Sequence, residues 1–236
     1  MILYYYTAKQ WGMKSLWEKR LKIAEYNDLN DPFELQPFDQ TEDENRKLSQ
    51  QIKTVLAQIN GVLCFSESWQ STLMWAHYGD KHKGICLGFE IEEGPHLTKI
   101  EYVSSRIRRP VAVKVDDAML EQCLNVKHNG WEYEKEYRLR ASLNDKRDGI
   151  YYNNFNDGMA LREVIIGARS SLSVVDVVEA IGKEPDSDVR ILFAHESHND
   201  FNMCENTNKQ GAIVEGISPE LKRSRQLAKA LLKGNS

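Results

Sequence analysis

In the segment WEYEKEYRLR, Trp131 to Arg140, a carboxylate recurs at every second position before two arginines follow at the same interval. Read as a strand, its side chains alternate, so Glu132, Glu134, Glu136, Arg138 and Arg140 share one face while Tyr133, Tyr137 and Leu139 share the other. Such a charged face either pairs across a solvated sheet or lines a cleft where carboxylates act on a substrate. Two carboxylates in one cleft could stabilise a developing positive charge, as in glycoside cleavage.

Other groups offer further chemistry. Asn30, Asp31, Pro32, Phe33 and Glu34 set polar groups beside an aromatic in a turn, a common place for functional residues. Trp75 and Tyr78 lie three apart and would share a helix face, for core packing or for stacking on a planar ligand. His77, Asp80 and His82 are metal-ligand types, but Gly79 breaks the helix between them, so no metal is expected there. Arg106, Arg108 and Arg109 could touch phosphates, whereas Lys222, Arg223, Arg225 and Lys229 read as a solvated helix face.

The elements that must position these groups alternate along the chain. LYYYT near the amino terminus is a first strand, and Thr7 with Gln10 forms a capping box for a helix through MKSLWEK. RLKIAEY is extended, and NDLNDPFEL is turn chemistry. A polar helix opening at Asp39 carries Leu48, Ile52, Val55, Leu56 and Ile59 at helical spacing until Gly61. GVLCFS is a buried strand and STLMWAHYGD a short helix; GICLGFEI, LTKIEYV and VAVKV are strands, and VDDAMLEQCL is helical. REVIIG, a helix over 171–181 closed by Gly182, the strands VRILFAH and AIVEGI, and a terminal helix over 218–233 complete the pattern. No repeat or proline-rich linker divides it, so 1–236 reads as a single domain.

With 236 residues, 41% of them hydrophobic and 28% charged, the chain can bury one large core. A net charge of -4 argues against a dedicated nucleic-acid or membrane-surface protein, although an acidic whole can carry a basic groove. The start lacks a basic leader and a cleavage pattern, and no apolar run is of membrane-spanning length, so a cytoplasmic location with no membrane partner is expected. Cys64, Cys86, Cys123 and Cys204 are scattered and read as free, mostly buried thiols.

In order along the chain, LYYYT, LNDPFE, CFSES, LMWAHYGDKHKGICLGFE, WEYEKEYRL and REVIIG resemble the motifs of a bacterial family catalogued as domain-of-unknown-function family 2971, over roughly residues 2 to 195. That resemblance implies no established activity. A more distant one does: a first strand, a strand ending in Ser, a nearby aromatic and a late strand bearing E-x-E are similar to the ADP-ribosyltransferase fold. It implies an α+β single domain on a bent or split, mostly antiparallel sheet flanked by helices, with NAD+ as co-substrate and no metal. Matched residue by residue, Glu136 would contact the ribose and Glu134 would position the acceptor. Ser66 would close the second motif, and Tyr78 or Trp75 would lie against nicotinamide. The basic residue those enzymes carry in the first strand is missing here, where Tyr4, Tyr5 and Tyr6 stand. The nucleotide anchor is therefore unassigned among Arg20, Arg138 and the backbone at Asn30, with a tyrosine hydroxyl such as that of Tyr5 available for ribose.

The leading expectation is transfer of ADP-ribose from NAD+ to a macromolecular acceptor, protein or nucleic acid. A toxin or anti-phage effector with a neutralising partner protein would be its setting. Two alternatives stay open: a metal-dependent hydrolase or nuclease using Asp31, Glu34, Glu134 and Glu136, and a non-enzymatic module binding a nucleotide or partner through Trp75, Tyr78 and Arg138.

Overall fold

The computed structural model describes residues 1–108, 115–143, 146–155, 158–182 and 185–218. Along the chain run β1 (Ile2–Thr7), α1 (Lys9–Glu18), β2 (Arg20–Lys22), β3 (Ala24–Glu25), α2 (Asp43–Ile59), β4 (Asn60–Ser66) and α3 (Thr72–His77). Next come β5 (Ile85–Ile91), β6 (Leu97–Lys99), β7 (Glu101–Val103), α4 (Asp117–Asn125), β8 (Val126–His128) and β9 (Glu136–Ser142). The last are β10 (Lys146–Arg147), β11 (Ile150–Asn154), β12 (Met159–Ile166), α5 (Val174–Ile181), β13 (Val189–Glu196), β14 (Met203–Glu205) and β15 (Ala212–Val214). Short 3-10 helices span Tyr26–Asp28 and Asn129–Glu134.

The main sheet has the order β14-β13-β12-β5-β1-β4-β9-β6 and is antiparallel except where β12 meets β13. It is open and mostly antiparallel, as expected for an α+β domain. The strand LYYYT lies at its middle and joins its two neighbours unequally. β1 pairs with β5 along its whole length, from Ile2↔Glu90 to Thr7↔Ile85, but with β4 only at Tyr4↔Ser66. The halves therefore part between β1 and β4. On the far side β4 pairs with β9 continuously, from Asn60↔Ser142 to Ser66↔Glu136.

Alternation along these strands sorts the core. Leu3 on β1, Leu63 and Phe65 on β4 and Tyr137 and Leu139 on β9 pack with α1 and α5 residues such as Leu16 and Val177. The opposite side of β4, Val62 and Cys64, meets a second cluster with Ile52 and Leu56 of α2 and Cys123 and Leu124 of α4. Tyr6, Trp75, Cys86 and Ile165 form a third. Each side chain fully buried in this way contributes roughly 1.5–3 kcal/mol.

Several local expectations are corrected. Thr7 stays in β1, paired with Ile85, so helix α1 begins at Lys9 with Ala8 as an N-cap that offers no side-chain bond. Asp39 turns its carboxylate onto the Thr41 amide at 2.7 Å, and this local turn delays α2 to Asp43. The helix after REVIIG starts at Val174, where Ser173 and Asp176 cap each other, and ends at Gly182 with φ 77. WEYE is a 3-10 helix, so the alternation read across the whole segment holds only from Glu136 onward. Most of VAVKV, Arg109, and the terminal helix after Ser218 with its four cations lie outside the described residues. No helix among the described residues is long and apolar enough to cross a membrane. All four cysteines are free; Cys86 and Cys123 are buried, Cys64 and Cys204 only partly so.

Candidate active site

The charged face of β9 is covered rather than solvated. Glu136 and Arg138 are 3% and 1% exposed, beneath α4, β8 and the NDPFE loop. Burial of this kind is tolerated only when every charge finds a partner. Arg138 donates from Nε to Glu136 Oε1 at 2.7 Å, from Nη2 to Glu34 Oε1 at 2.6 Å and from Nη1 to the Leu124 carbonyl at 3.0 Å. Lys127, on β8, places its Nζ 2.6 Å from Glu134, 3.0 Å from Glu136 and 3.7 Å from Glu34. Three carboxylates thus share two cations, an excess of one negative charge when all three are ionised.

Glu134 and Glu136 meet at Lys127 by a route other than strand alternation. Glu134 ends the 3-10 helix, and Lys135 turns the chain through the left-handed region at φ 43 before β9 begins. A non-glycine residue costs about 1–2 kcal/mol in that conformation, so its surroundings must hold it. The Lys135 carbonyl accepts from the Glu67 amide at 3.1 Å, and the Ser66 hydroxyl donates to the Glu134 carbonyl at 2.7 Å. The serine that closes β4 is 1% exposed and works here as a brace for the turn that aims Glu134.

Beside the network lies a cavity of about 180 Å³, on whose wall stand Glu134, Glu136, Lys127, Tyr5, Tyr78 and Asn30. It sits where β1 and β4 part. Tyr78 donates to Glu134 at 2.5 Å and accepts from the Asn30 side-chain amide at 2.8 Å. Among the described residues the Tyr5 hydroxyl makes no hydrogen bond, and burial pushes it up to about 12. Burial raises the Glu134 carboxyl, and the Lys127 charge does not fully offset it. Glu136 is buried as well, but the Arg138 and Lys127 charges outweigh burial and hold it down to about 2. Lys127 stays protonated because its three carboxylates overcome the burial that would strip its proton. One carboxylate is therefore fixed as an anion while its neighbour is eased toward taking a proton.

Of the residues singled out in the sequence, Glu134, Glu136, Tyr5, Asn30 and Tyr78 come together on this cavity. Four others do not reach its wall. Trp75 is fully buried, its ring against Tyr6 at 5.2 Å and its indole N–H on the Trp69 carbonyl at 2.7 Å, so it is core. Arg138 has its guanidinium bonded to Glu34, Glu136 and Leu124 and is 1% exposed, so it positions the carboxylates and does not stand on the cavity wall where a nucleotide phosphate could reach it. Ser66 acts through the Glu134 backbone. Arg20 lies over the Tyr152 ring at 3.7 Å and pairs with Glu18, away from the cavity. Lys127 escaped sequence reading altogether. A lone lysine in NVKHNG carries no periodic or motif signal, and only the fold reveals that three carboxylates surround it.

The residues weighed for a metal do not converge on one point. His77 Nδ1 meets the Tyr133 hydroxyl at 2.8 Å and Asp31 accepts from the Phe33 amide at 2.9 Å, while the His82 ring lies parallel to Trp75 with its Nδ1 buried and unbonded among the described residues. The Lys127 ammonium occupies the point on which Glu34, Glu134 and Glu136 converge. No group of three or more His, Cys, Asp or Glu is arranged to hold a metal ion among the described residues.

Comparison with known proteins adds one finding. A family model described as "Protein of unknown function (DUF2971)" matches residues 74–139, the stretch from α3 into β9. No curated protein and no solved structure matches the chain. The matched segment contains Tyr78, Lys127, Glu134, Glu136 and Arg138, so this chain is similar to the family of unknown function across most of its buried charge network.

Proposed function

We propose that the protein transfers ADP-ribose from NAD+ to a macromolecular acceptor. The observation that carries this reading is the convergence of Glu134 and Glu136 on a tyrosine-walled cavity with one excess buried negative charge. The nicotinamide ring of NAD+ is cationic, and the ribosyl group becomes cationic as the glycosidic bond breaks, so the excess charge favours both. β1, the serine-terminated β4 and the Glu136-bearing β9 lie side by side in the sheet, which sets Glu136 beside this cavity. About 180 Å³ is below the usual range of ligand pockets, which suits the reacting ring and sugar with the rest of the dinucleotide outside.

In this mechanism the bond between ribose C1′ and the nicotinamide nitrogen breaks, and its electron pair leaves with neutral nicotinamide. Glu136, held ionised by Arg138 and Lys127, stabilises the sugar cation and accepts from a ribose hydroxyl. Glu134 takes the proton of the acceptor nucleophile as the new bond to C1′ forms; its raised pKa suits a base, because it binds that proton more tightly than an ordinary carboxylate. Tyr78 and Asn30 orient Glu134. A toxin or anti-phage role, with a neutralising partner, belongs to the same proposal.

The test is release of nicotinamide from NAD+ by the purified protein, alone and with Glu134→Gln. The wild type should release it and the variant should lose at least about 100-fold, the usual contribution of a positioned acid or base. No release by the wild type in the presence of protein and nucleic-acid acceptors would refute the reading.

A further inference from the structure

A second cavity, of about 340 Å³, lies on the other side of the Glu34–Lys127 pair from the first, and both residues line both cavities. The NDPFE loop runs between the two: Asn30 stands on the first, Asp31 and Phe33 on the second, and Glu34 on each. Burial grades its wall. Asp31 and Glu34 are 4% and 3% exposed, whereas Phe33 is 58% exposed and Arg106 half-buried. The Oε2 of Glu34 is buried without a hydrogen-bond partner among the described residues.

Arg106 is the cation of this cavity's outer part. Its Nη1 donates to the Gln36 and Phe38 carbonyls at 3.1 and 2.9 Å, which fixes the guanidinium 5.2 Å from the Phe33 ring. Its Nε and Nη2 make no hydrogen bond among the described residues. Val103, Val126 and Pro37 give apolar walls between this fork and the buried carboxylates. A fitting ligand therefore has an N–H donor at its inner end, a flat apolar body, and an anion at its outer end. Lys127 and His128 also face the cavity and leave its charge near balance.

We propose that this cavity binds an aminated nucleoside phosphate, with its amino group toward Asp31 and Glu34, its base beside Phe33 and its phosphate on Arg106. Its identity as the adenylate half of NAD+ rests on the transferase reading above. In that case Arg106 is the anchor that the first strand lacks, and the dinucleotide crosses the NDPFE loop from one cavity to the other.

The test uses AMP, nicotinamide mononucleotide and NAD+ as calorimetric probes on the whole chain, with thermal melts to confirm folding. AMP should bind the wild type, and Arg106→Gln should weaken AMP and NAD+ about tenfold or more while sparing the mononucleotide. Because Arg106 also ties down two carbonyls, a second variant, Ser105→Trp, fills the cavity from its exposed rim and leaves Arg106 in place. It should abolish AMP binding. AMP that fails to bind the wild type, or binds a folded form of either variant unchanged, overturns the proposal. Adenosine binding as tightly as AMP would overturn the role of Arg106. If AMP binding responds as stated but NAD+ and the mononucleotide do not bind, the site stands and the transferase reading falls. If NAD+ is consumed while AMP ignores both variants, the reverse holds.

Discussion

Replacing Lys127 with methionine removes one ammonium and little volume from a site where its side chain is 5% exposed. Three carboxylates at 2.6, 3.0 and 3.7 Å lose a partner. Glu136 and Glu34 keep Arg138, but Glu134 keeps only the Tyr78 hydroxyl. Removing one partner of a buried ion pair costs about 3–5 kcal/mol because an uncompensated charge remains, a large part of the roughly 5–15 kcal/mol that holds a domain folded. Urea unfolding at pH 7 should show that loss. It should shrink as pH falls toward 5, because Glu134 is already raised by burial and, without the ammonium, protonates more readily still. Adding Glu134→Gln should return a substantial part of the lost stability, with a coupling within the roughly 0.5–3 kcal/mol seen for contacting residues. A loss below about 1 kcal/mol, the scale of a solvated surface pair, would refute the picture of a dry, interlocked network.

Trp75→Ala should cost about 3–5 kcal/mol as a core truncation, while Tyr78→Ala, which takes the ring off the cavity wall, should cost less stability and weaken NAD+ binding; equal destabilisation with binding intact would remove Tyr78 from the site. In acid, Glu136 has a folded pKa of about 2 against 4.5 for the free group, so its contribution is complete above 4.5 and lost as pH falls toward 2. Glu134 has the opposite sign: its folded pKa is raised, so its contribution is complete below 4.5 and fades as pH rises through that raised value. Wild-type stability should therefore fall between pH 4.5 and 2, and Glu136→Gln should lose the part of that fall that belongs to Glu136. NAD+ consumption should survive EDTA and His82→Ala; loss on chelation with recovery on adding Mg2+, Mn2+ or Zn2+ would favour the metal-dependent alternative.

What the sequence disclosed followed from period and from turn chemistry. Short apolar runs placed β1, β4 and β5, alternation placed β9 from Glu136 onward, and helical spacing of Ile52 and Leu56 placed α2. The convergence of Glu134 and Glu136 was anticipated, but for a mistaken local reason. Lys135 in the left-handed region, not strand alternation, brings them together. Arg138, one candidate nucleotide anchor, and Ser66, which closes the second motif, hold the site from behind, since a side chain's partners depend on contacts across 104 and 68 residues of sequence. Lys127 and the second cavity leave no local trace at all; they exist only once α4, β8 and the NDPFE loop fold over β9.

The central claim is tested most directly by NAD+ labelled in its adenylate part, incubated with the protein and a mixture of cellular protein and nucleic acid. Label should pass into macromolecules with wild type and not with Glu134→Gln or Glu136→Gln variants that bind NAD+. Label that stays entirely in intact NAD+, with the wild type shown to be folded, would contradict the account.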